Sequence, residues 1–349
     1  MRPTAMQHAA ERHPTGPAEA PGFAVVWSRL AKARLSLLVL ATTAVGFLVA
    51  PAGAIDWLRL AWTCLGTAMA AASAAMLNQL AETRRDARMQ RTAGRPLPAG
   101  HASPRAVFVA GTVVGYAGCA LLAWQVNLGA AALAAANILL YVFLYTPLKP
   151  RTTLNTLVGA VTGAIPPMIG WVAATGRTSP GAWALFGILF VWQIPHFLAL
   201  AWMYRADYER GGFAMLPSRD ESGRATAQAC VLTSLMLVPV ALLATLTGIA
   251  GYWYAGASVV LGLWLSWLSL RFLQVRDDAR ARRLFLASLA YLPALMGTMV
   301  ADRGSVVPVA RREGDAIVIE LPPQPEAAEP QDRPAPATTA PGTVTEQPR

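Results

Sequence analysis

Three side chains that carry oxygen atoms lie four residues apart at the end of a long apolar run. They are Asn78, Glu82 and Asp86. On a helix, positions i, i+4 and i+8 form one row, about 12 Å long at about 1.5 Å per residue. One amide and two carboxylates are hard oxygen ligands that suit Mg²⁺, which also binds phosphate oxygens. Two interpretations follow: the row binds a divalent cation, or water solvates it at a membrane surface.

Five basic residues lie at the end of this acidic row or directly after it, namely Arg84, Arg85, Arg88, Arg91 and Arg95. Beside a metal ion, guanidinium groups can bind the oxygens of a diphosphate leaving group. Some of this charge is also expected on the inner side of any membrane protein. A third interpretation is that these acids form plain salt bridges with nearby arginines. One salt bridge would join Glu82 to Arg85, and the other would join Asp86 to Arg88.

Further along the chain, three residues add to the candidate site. Lys149 and Arg151 follow the fourth apolar run and offer hydrogen-bond donors to an anion. Asp207 follows the sixth run and has two interpretations: it holds a second metal ion, or it is an ordinary solvated loop residue. Because successive runs alternate in direction, all three are expected on the same side of the membrane as the acidic row.

The two loops that carry acidic residues resemble one another. In the first loop, Pro96 comes ten residues after Asp86. In the second loop, Pro217 comes ten residues after Asp207, and the offset between the loops is 121 residues. This repeat predicts two similar four-helix halves followed by a ninth helix, with both acidic loops on the same side, facing each other across a central cavity.

One histidine, His196, lies well inside an apolar run, directly after Pro195. An ionisable residue at membrane depth is a candidate functional residue, and imidazole can ligate iron. The same histidine can instead be structural, with a hydrogen bond to a backbone carbonyl that the proline leaves free. The sequence leaves both interpretations open.

Membrane helices are the elements expected to position these residues. Of the 349 residues, 55% are hydrophobic and only 14% are charged. In soluble proteins about a quarter of the residues are charged. This composition therefore favours an all-α polytopic membrane protein over soluble domains. Nine apolar runs are long enough to cross a bilayer, near residues 35–54, 60–82, 105–124, 128–146, 154–175, 181–203, 226–248, 252–273 and 284–302.

The distribution of charge predicts the orientation of these helices. Most of the 29 Lys and Arg residues fall in segments on the same side as the N-terminus. The N-terminus is therefore expected in the cytoplasm and the C-terminus outside. The protein itself is expected in the cell inner membrane. The net charge of +10 has the same explanation, so no nucleic-acid partner is predicted.

Three regions follow from this organisation. Residues 1–34 are predicted to form a cytoplasmic N-terminal arm, and residues 35–302 the intramembrane domain. Residues 303–349 are rich in Pro, Ala, Glu and Thr and poor in aromatic residues. Such a segment buries too little apolar surface to fold alone, so we expect a disordered tail. Within it, Ile317–Leu321 could form a short strand.

Three blocks of sequence resemble the motifs of the protoheme IX farnesyltransferases, or heme O synthases, a branch of the UbiA prenyltransferase superfamily. The first block contains NQLAETRRD at residues 78–86 and RPLP at 95–98. The second contains YTPLKPRTTLN at 145–155 and GAIPPMIGW at 163–171. The third contains WQIPHF at 192–197 and MLP at 215–217. The resemblance spans roughly residues 25–300 and is specific to this branch.

The resemblance implies nine helices around a central cavity and a Mg²⁺-dependent enzyme. It implies transfer of farnesyl from farnesyl diphosphate to a vinyl group of heme b, which gives heme O and diphosphate. Heme A synthase or terminal oxidase assembly would be downstream partners. We assign the catalytic and metal-binding roles to Asn78, Glu82, Asp86 and Asp207. We assign binding of the diphosphate to Arg88, Arg91, Arg95, Lys149 and Arg151. His196 is the candidate for heme binding.

The chain departs from the pattern of this family at three positions. Arg84 stands where many relatives carry a further acid, and Leu198 where many carry Trp. Met203 stands one turn before Asp207, where the wider superfamily has a second Asp. Two other functions remain: prenyl transfer to a quinone precursor, and non-enzymatic carriage of heme or lipid. A carrier would not need an acidic row placed for Mg²⁺.

Overall fold

The computed structural model describes residues 21–51, 53–303, 309–313 and 316–320. The chain divides into two compact units, residues 1–306 and residues 307–349. The described part of the first unit is helical, which confirms the all-α prediction for the membrane domain. Most of the predicted arm at 1–34 lies outside the described residues, but a first helix is already formed at Phe23–Leu30.

The first unit consists of helices of very different length. A π-helical turn at Leu140–Tyr145 joins the fifth helix to the sixth. In the described residues the helices are α1 Phe23–Leu30, α2 Ala33–Leu48, α3 Trp57–Asp86, α4 Pro104–Gln125, α5 Leu128–Leu139, α6 Thr146–Leu148, α7 Asn155–Thr175, α8 Pro180–Met203, α9 Arg205–Arg210, α10 Leu216–Arg219, α11 Arg224–Leu246, α12 Tyr252–Gln274 and α13 Asp278–Ala301.

Eight helical segments in the described part of the chain are long and apolar enough to cross a bilayer. The apolar part of α2, Ser36–Leu48, is shorter and lies where the first run was predicted. That run was predicted to reach residue 54, but α2 ends at Leu48, because Pro51 cannot continue a helix and Gly53 adopts a φ of +74°. The chain is therefore a multi-pass membrane protein.

The neighbour relationships of the helices repeat along the chain. In the first half, α2 packs on α3, α3 on α4 and α4 on α5. In the second half, α7 packs on α8, α8 on α11 and α11 on α12. Contacts between α2 and α7 join the halves, and α13 packs on α8 and α12. Two four-helix halves followed by a further helix, as the sequence repeat predicts, thus form the described membrane domain.

Helices α7 and α8 lie at the centre of the bundle. In the most apolar stretch of each, 72% of the residues are buried inside the protein, against 28% in α4 and 17% in Leu128–Leu148. The more peripheral helices therefore leave most of their apolar surface for lipid. Since α8 carries His196, this arrangement puts the histidine in the interior of the bundle.

The crossing of α2 and α7 is unusually close. A Cβ atom added to Gly46 would lie 2.1 Å from the carbonyl oxygen of Pro167. A Cβ atom added to Gly170 would lie 1.9 Å from the carbonyl oxygen of Thr43. Only glycine permits such backbone contact between membrane helices. These two glycines allow the two halves of the domain to pack closely against each other.

The second unit contains an antiparallel hairpin. Its strands are β1 Val309–Glu313 and β2 Ala316–Glu320, with Val309 opposite Glu320. The short strand predicted at Ile317–Leu321 therefore forms one residue earlier, at Ala316–Glu320, while disorder of the tail stays a prediction. A run of β-branched residues, Ile317 to Ile319, favours the extended conformation. The remaining predicted tail residues after Arg303 lie outside the described residues.

Candidate active site

The acidic row at the end of α3 is buried. The relative exposure is 0% for Asn78, 5% for Glu82 and 2% for Asp86. Carboxylates that leave water require charged partners or hydrogen-bond donors nearby. Solvation of the row by bulk water, one interpretation of the sequence, is therefore wrong.

Both carboxylates of the row form ion pairs with residues outside α3. Nζ of Lys149 lies 2.8 Å from Oε1 of Glu82. Nη1 of Arg95 donates to Oδ2 of Asp86 at 2.7 Å. The alternative of plain salt bridges to the arginines at the end of the same helix is thus wrong. The two predicted diphosphate ligands Lys149 and Arg95 lie directly against the row.

The π-helical turn after α5 brings Lys149 to the row. Thr146, one residue after the turn, accepts a hydrogen bond from Nδ2 of Asn78 at 2.9 Å. Nζ of Lys149 lies 4.4 Å from the ring centroid of Tyr145. Burial opposes the charged form of Lys149, but the attraction of Tyr145 and Glu82 outweighs it and raises the pKa of this lysine above its usual value.

Lys32 is a site residue that the sequence interpretation missed. Its Nζ donates to Oδ1 of Asn78 at 3.3 Å, and burial lowers the pKa of its ammonium group. The residue precedes α2 with a φ of 49°, a left-handed conformation that is rare outside glycine. In the sequence, Lys32 is one of several basic residues before the first run, and no pattern sets it apart from Arg29.

The remaining predicted diphosphate ligands lie farther out. The guanidinium of Arg91 stacks over the rings of Tyr204 and Tyr208, 5.1 and 5.4 Å from their centroids. Arg88 and Arg151 are exposed, and within the described part of the chain neither side chain forms an ion pair or a hydrogen bond. The structure therefore brings Lys149 and Arg95, but not these three arginines, to the row.

Asp207 connects the two acidic loops. Its Oδ1 accepts from the backbone N–H of Gln90 at 2.8 Å, and its Oδ2 from the backbone N–H of Arg91 at 3.2 Å. Nη2 of Arg210 donates to Oδ1 at 2.6 Å. Burial alone would raise the pKa of Asp207, but these hydrogen bonds lower it. We call the two backbone hydrogen bonds the loop clasp.

Further contacts extend the loop clasp to Lys149. The backbone N–H of Ala214 donates to the carbonyl of Lys149 at 2.7 Å. Nδ2 of Asn155 donates to the carbonyl of Ala214 at 2.9 Å. Met89 and Phe213, one from each loop, are buried together in a small apolar cluster. The two loops lie on the same side of the domain, but they contact each other directly, whereas the sequence repeat predicted that they face each other across the cavity.

A cavity of about 310 Å³ lies next to the row. Lys32 and Tyr145 line it at the end where the row lies, while Trp192, His196 and Phe197 line it from α8. Small side chains open the space between the helices. They include Ala70, Ala71, Ala74, Gly159 and Gly163.

His196 lines this cavity and is bonded within the bundle at the same time. It has 9% relative exposure, and its Nδ1 lies 2.8 Å from Oγ of Ser288 on α13. The carbonyl freed by Pro195, which the structural interpretation of the sequence invoked, is not the described partner. Sequence reasoning did not find Ser288, because the two residues are 92 positions apart.

The donor set of the row fits a hard divalent cation. It offers one amide oxygen and two carboxylates, and each described ion pair engages one oxygen of its carboxylate. Among the residues that the structure describes, no three side chains of His, Cys, Asp or Glu come together. The described contacts of Asp207 lead to the loop clasp, so its predicted role as a metal ligand stays a prediction.

Relatives of known identity match nearly the whole membrane domain. The model of a family described as the UbiA prenyltransferase family matches residues 39–292. A protoheme IX farnesyltransferase of Salinibacter ruber is 45% identical over 273 residues, which cover 78% of this chain and 96% of that protein.

Solved structures share the fold at low sequence identity. One, from work on digeranylgeranylglyceryl phosphate synthase, gives a TM-score of 0.69 at 14% identity and covers 81% of this chain and 99% of that chain. A UbiA homolog from Archaeoglobus fulgidus bound to DMAPP and Mg²⁺ gives a TM-score of 0.58 at 15% identity, with 78% and 98% covered. At such identities the likeness concerns the fold alone.

Proposed function

The chain belongs to the UbiA prenyltransferase family, and from this membership we propose that it transfers farnesyl from farnesyl diphosphate to a vinyl group of heme b. The products are heme O and diphosphate, and the reaction depends on Mg²⁺. The observation that carries the proposal is the buried acidic row, with its cationic partners, beside a cavity in the membrane domain. The name of the relative from Salinibacter ruber supports this choice of substrates.

The acidic row and its cations suit the departure of diphosphate. When the allylic C–O bond breaks, its electron pair leaves with the diphosphate, so the growing negative charge must be stabilised. Mg²⁺ held by Asn78, Glu82 and Asp86 would neutralise part of that charge. Lys149 and Arg95, already placed against these carboxylates, donate to the remaining phosphate oxygens.

The outer residues have supporting roles in this proposal. Asp207 keeps the two loops together through the loop clasp. A direct bond from Asp207 to a second metal ion would require at least one of those amides to be released. Arg88, Arg91 and Arg151 are exposed, and we assign them to capture of the diphosphate before it reaches the row.

The cavity suits a reactive allylic cation. Aromatic rings of Tyr141, Tyr145, Trp192 and Phe197 line it, and ring faces attract positive charge. Exclusion of water protects the cation until the vinyl carbon forms the new C–C bond. A water molecule then adds to the resulting cation next to the ring and loses a proton, which gives the hydroxyethyl group.

The orientation and the partners complete the proposal. The excess of Lys and Arg around the row favours a cytoplasmic location for it, in the cell inner membrane. The N-terminus would then be cytoplasmic and the C-terminus outside. The apolar product would pass to a heme A synthase or to terminal oxidase assembly, both of which work on membrane-bound heme.

A product assay tests the proposal. Membranes that contain the protein are supplied with heme b, farnesyl diphosphate and Mg²⁺. The hemes are then separated by chromatography, and their masses are measured by mass spectrometry. We expect a heavier, more apolar heme that carries one farnesyl group and one added water. Farnesylation of a quinone precursor in place of heme would favour the other prenyltransferase function. Heme binding with no transfer to any acceptor, while an active relative makes product alongside, would favour a carrier.

A further inference from the structure

The protonation pattern of His196 follows from its neighbours. The hydroxyl of Ser288 lies 2.6 Å from the backbone carbonyl oxygen of Phe285. Two oxygens approach so closely when a proton lies between them, so Ser288 donates its single proton to that carbonyl. A lone pair of Ser288 is left for His196, whose Nδ1 lies 2.8 Å away. Nδ1 must therefore carry the proton and act as the donor.

This assignment leaves Nε2 with a free lone pair. A neutral imidazole has one N–H group, so the tautomer protonated on Nδ1 presents Nε2 as a base or a metal ligand. Among the described residues, the hydrogen bond of His196 uses Nδ1 alone. The ring is thus prepared for a partner that accepts a lone pair.

Packing fixes the direction in which Nε2 points. The imidazole is stacked between Trp192 and Phe285, with ring centroids 5.0 and 4.9 Å away and interplanar angles of 21° and 28°. Nε1 of Trp192 donates to the backbone carbonyl of Ser288 at 2.9 Å, which ties the stack to α13. Phe197 contacts the ring as well, with centroids 5.3 Å apart and an interplanar angle of 66°. Among the described residues, Nε2 is not one of the buried polar atoms that lack a partner, so this atom is accessible. Because His196 lines the cavity, we take the cavity to be the space that Nε2 reaches.

We propose that Nε2 of His196 is an axial ligand to the iron of the porphyrin substrate, and that Ser288 is a positioning residue that sets its tautomer and orientation. The proposal rests on the proposed function, because it takes heme b as the acceptor. A hydrogen bond from the far nitrogen of a ligating histidine orients the ring and makes it a stronger ligand. A quinone precursor has no iron and could not use this arrangement.

Binding of two porphyrins separates a ligand from a structural residue. The full chain in detergent is titrated with heme b and, separately, with metal-free protoporphyrin IX, and absorption spectra are recorded. We expect His196→Ala to lose the spectrum of imidazole-ligated iron and to bind heme b about 10- to 100-fold more weakly. Its affinity for metal-free protoporphyrin IX should not change, and added imidazole should restore the ligated spectrum.

Variants of Ser288 test the positioning role. Ser288→Ala should weaken heme b binding about 10-fold and shift the ligated spectrum, while Ser288→Thr, which keeps the hydroxyl, should behave like the original chain. The matched control is Ser266→Ala, because among the described residues the buried hydroxyl of Ser266 bonds only to the carbonyl of Gly262 in its own helix. Ser266→Ala should leave both spectra unchanged.

The outcomes separate this inference from the proposed function. Equal loss of both porphyrins in His196→Ala, or a spectrum that does not depend on His196, overturns iron ligation even if heme O is formed. An unchanged spectrum in Ser288→Ala overturns the positioning role. If the original chain shows the His196-dependent spectrum but makes no heme O, the ligation stands and the proposed farnesyl transfer fails.

Discussion

Nζ of Lys149 lies 2.8 Å from Oε1 of Glu82, and little of either side chain is exposed, 14% of the lysine side chain and 7% of the glutamate side chain. The ion pair connects the end of the fourth membrane segment to the acidic row of the second. Loss of one partner from such a pair leaves an uncompensated charge in an apolar environment, whereas loss of both partners removes the charges together.

This ion pair allows a test of stability apart from activity. We predict that Lys149→Met lowers the free energy of unfolding by about 3–5 kcal/mol, because Glu82 is left buried without a partner. Adding Glu82→Gln to Lys149→Met should recover most of this stability but no prenyl transfer. Thermal unfolding in detergent, measured beside the product assay, gives both quantities. A double variant no more stable than Lys149→Met would show that the two side chains do not depend on each other.

Lys32 is predicted to bind the donor substrate. Lys32→Met should raise the KM for farnesyl diphosphate about 10- to 100-fold, because a hydrogen bond to a charged group contributes about 1.5–3 kcal/mol. Arg29→Met is the matched control, since Arg29 is an exposed cation of the same segment. Steady-state kinetics of both variants check the prediction. Equal KM values for the two variants would show that Lys32 does not bind farnesyl diphosphate.

The loop clasp predicts a local change in backbone protection. Asp207→Asn replaces one acceptor oxygen by an NH₂ group, so the backbone amides of Gln90 and Arg91 should exchange with deuterium faster. Prenyl transfer should fall about 10-fold, roughly the effect of losing one such hydrogen bond to a carboxylate. Asp220→Asn is the control, because Asp220 bonds to the nearby Thr226 in the first turn of α11 and not to the first loop. Unchanged exchange at both amides would contradict the loop clasp.

The crossing of α2 and α7 predicts which glycine tolerates a methyl group. Gly170→Ala should destabilise the protein by about 1–3 kcal/mol, since the new Cβ would overlap the carbonyl oxygen of Thr43. Gly256→Ala, in an exposed position of α12 with no atom within 4 Å of the new Cβ, should be neutral or stabilising by up to about 1 kcal/mol. Unfolding temperatures of the two variants check this difference. Similar unfolding temperatures would show that the helices can move apart at no cost.

The helices and the acidic row could be predicted because they depend on local patterns. Apolar runs of membrane length, and oxygen-bearing residues at a spacing of four, are visible in the sequence without any knowledge of distant contacts. The ten-residue spacing from Asp86 to Pro96 and from Asp207 to Pro217 similarly predicted two acidic loops on the same side of the membrane, but not the direct hydrogen bonds between them. The helices and the acidic row are present in the structure because local helix geometry is enough to produce them.

The partners in the site could not be predicted, because they depend on packing between distant segments. Local salt bridges from Glu82 and Asp86 were plausible by spacing, but the fold brings Lys149 and Arg95 to these carboxylates instead. Lys32 enters the site through a left-handed backbone conformation that its residue type does not favour.

The same reasoning applies to His196. Its position inside an apolar run marked it as unusual, but its tautomer depends on a serine on the last membrane helix. The single-residue difference between the predicted and observed bounds of β2 has a local cause, since β-strand ends depend on pairing with β1.

The most direct test of the central claim is the dependence of heme O formation on Mg²⁺ in Glu82→Gln and Asp86→Asn. The original chain should show saturable dependence on Mg²⁺ and lose activity with a chelator. We predict that each variant loses at least about 100-fold in turnover at saturating Mg²⁺, the order of loss for one transition-state electrostatic contact, while Glu209→Gln, an exposed acid on α9, keeps normal turnover. Turnover and Mg²⁺ dependence that remain unchanged in either row variant would contradict the account.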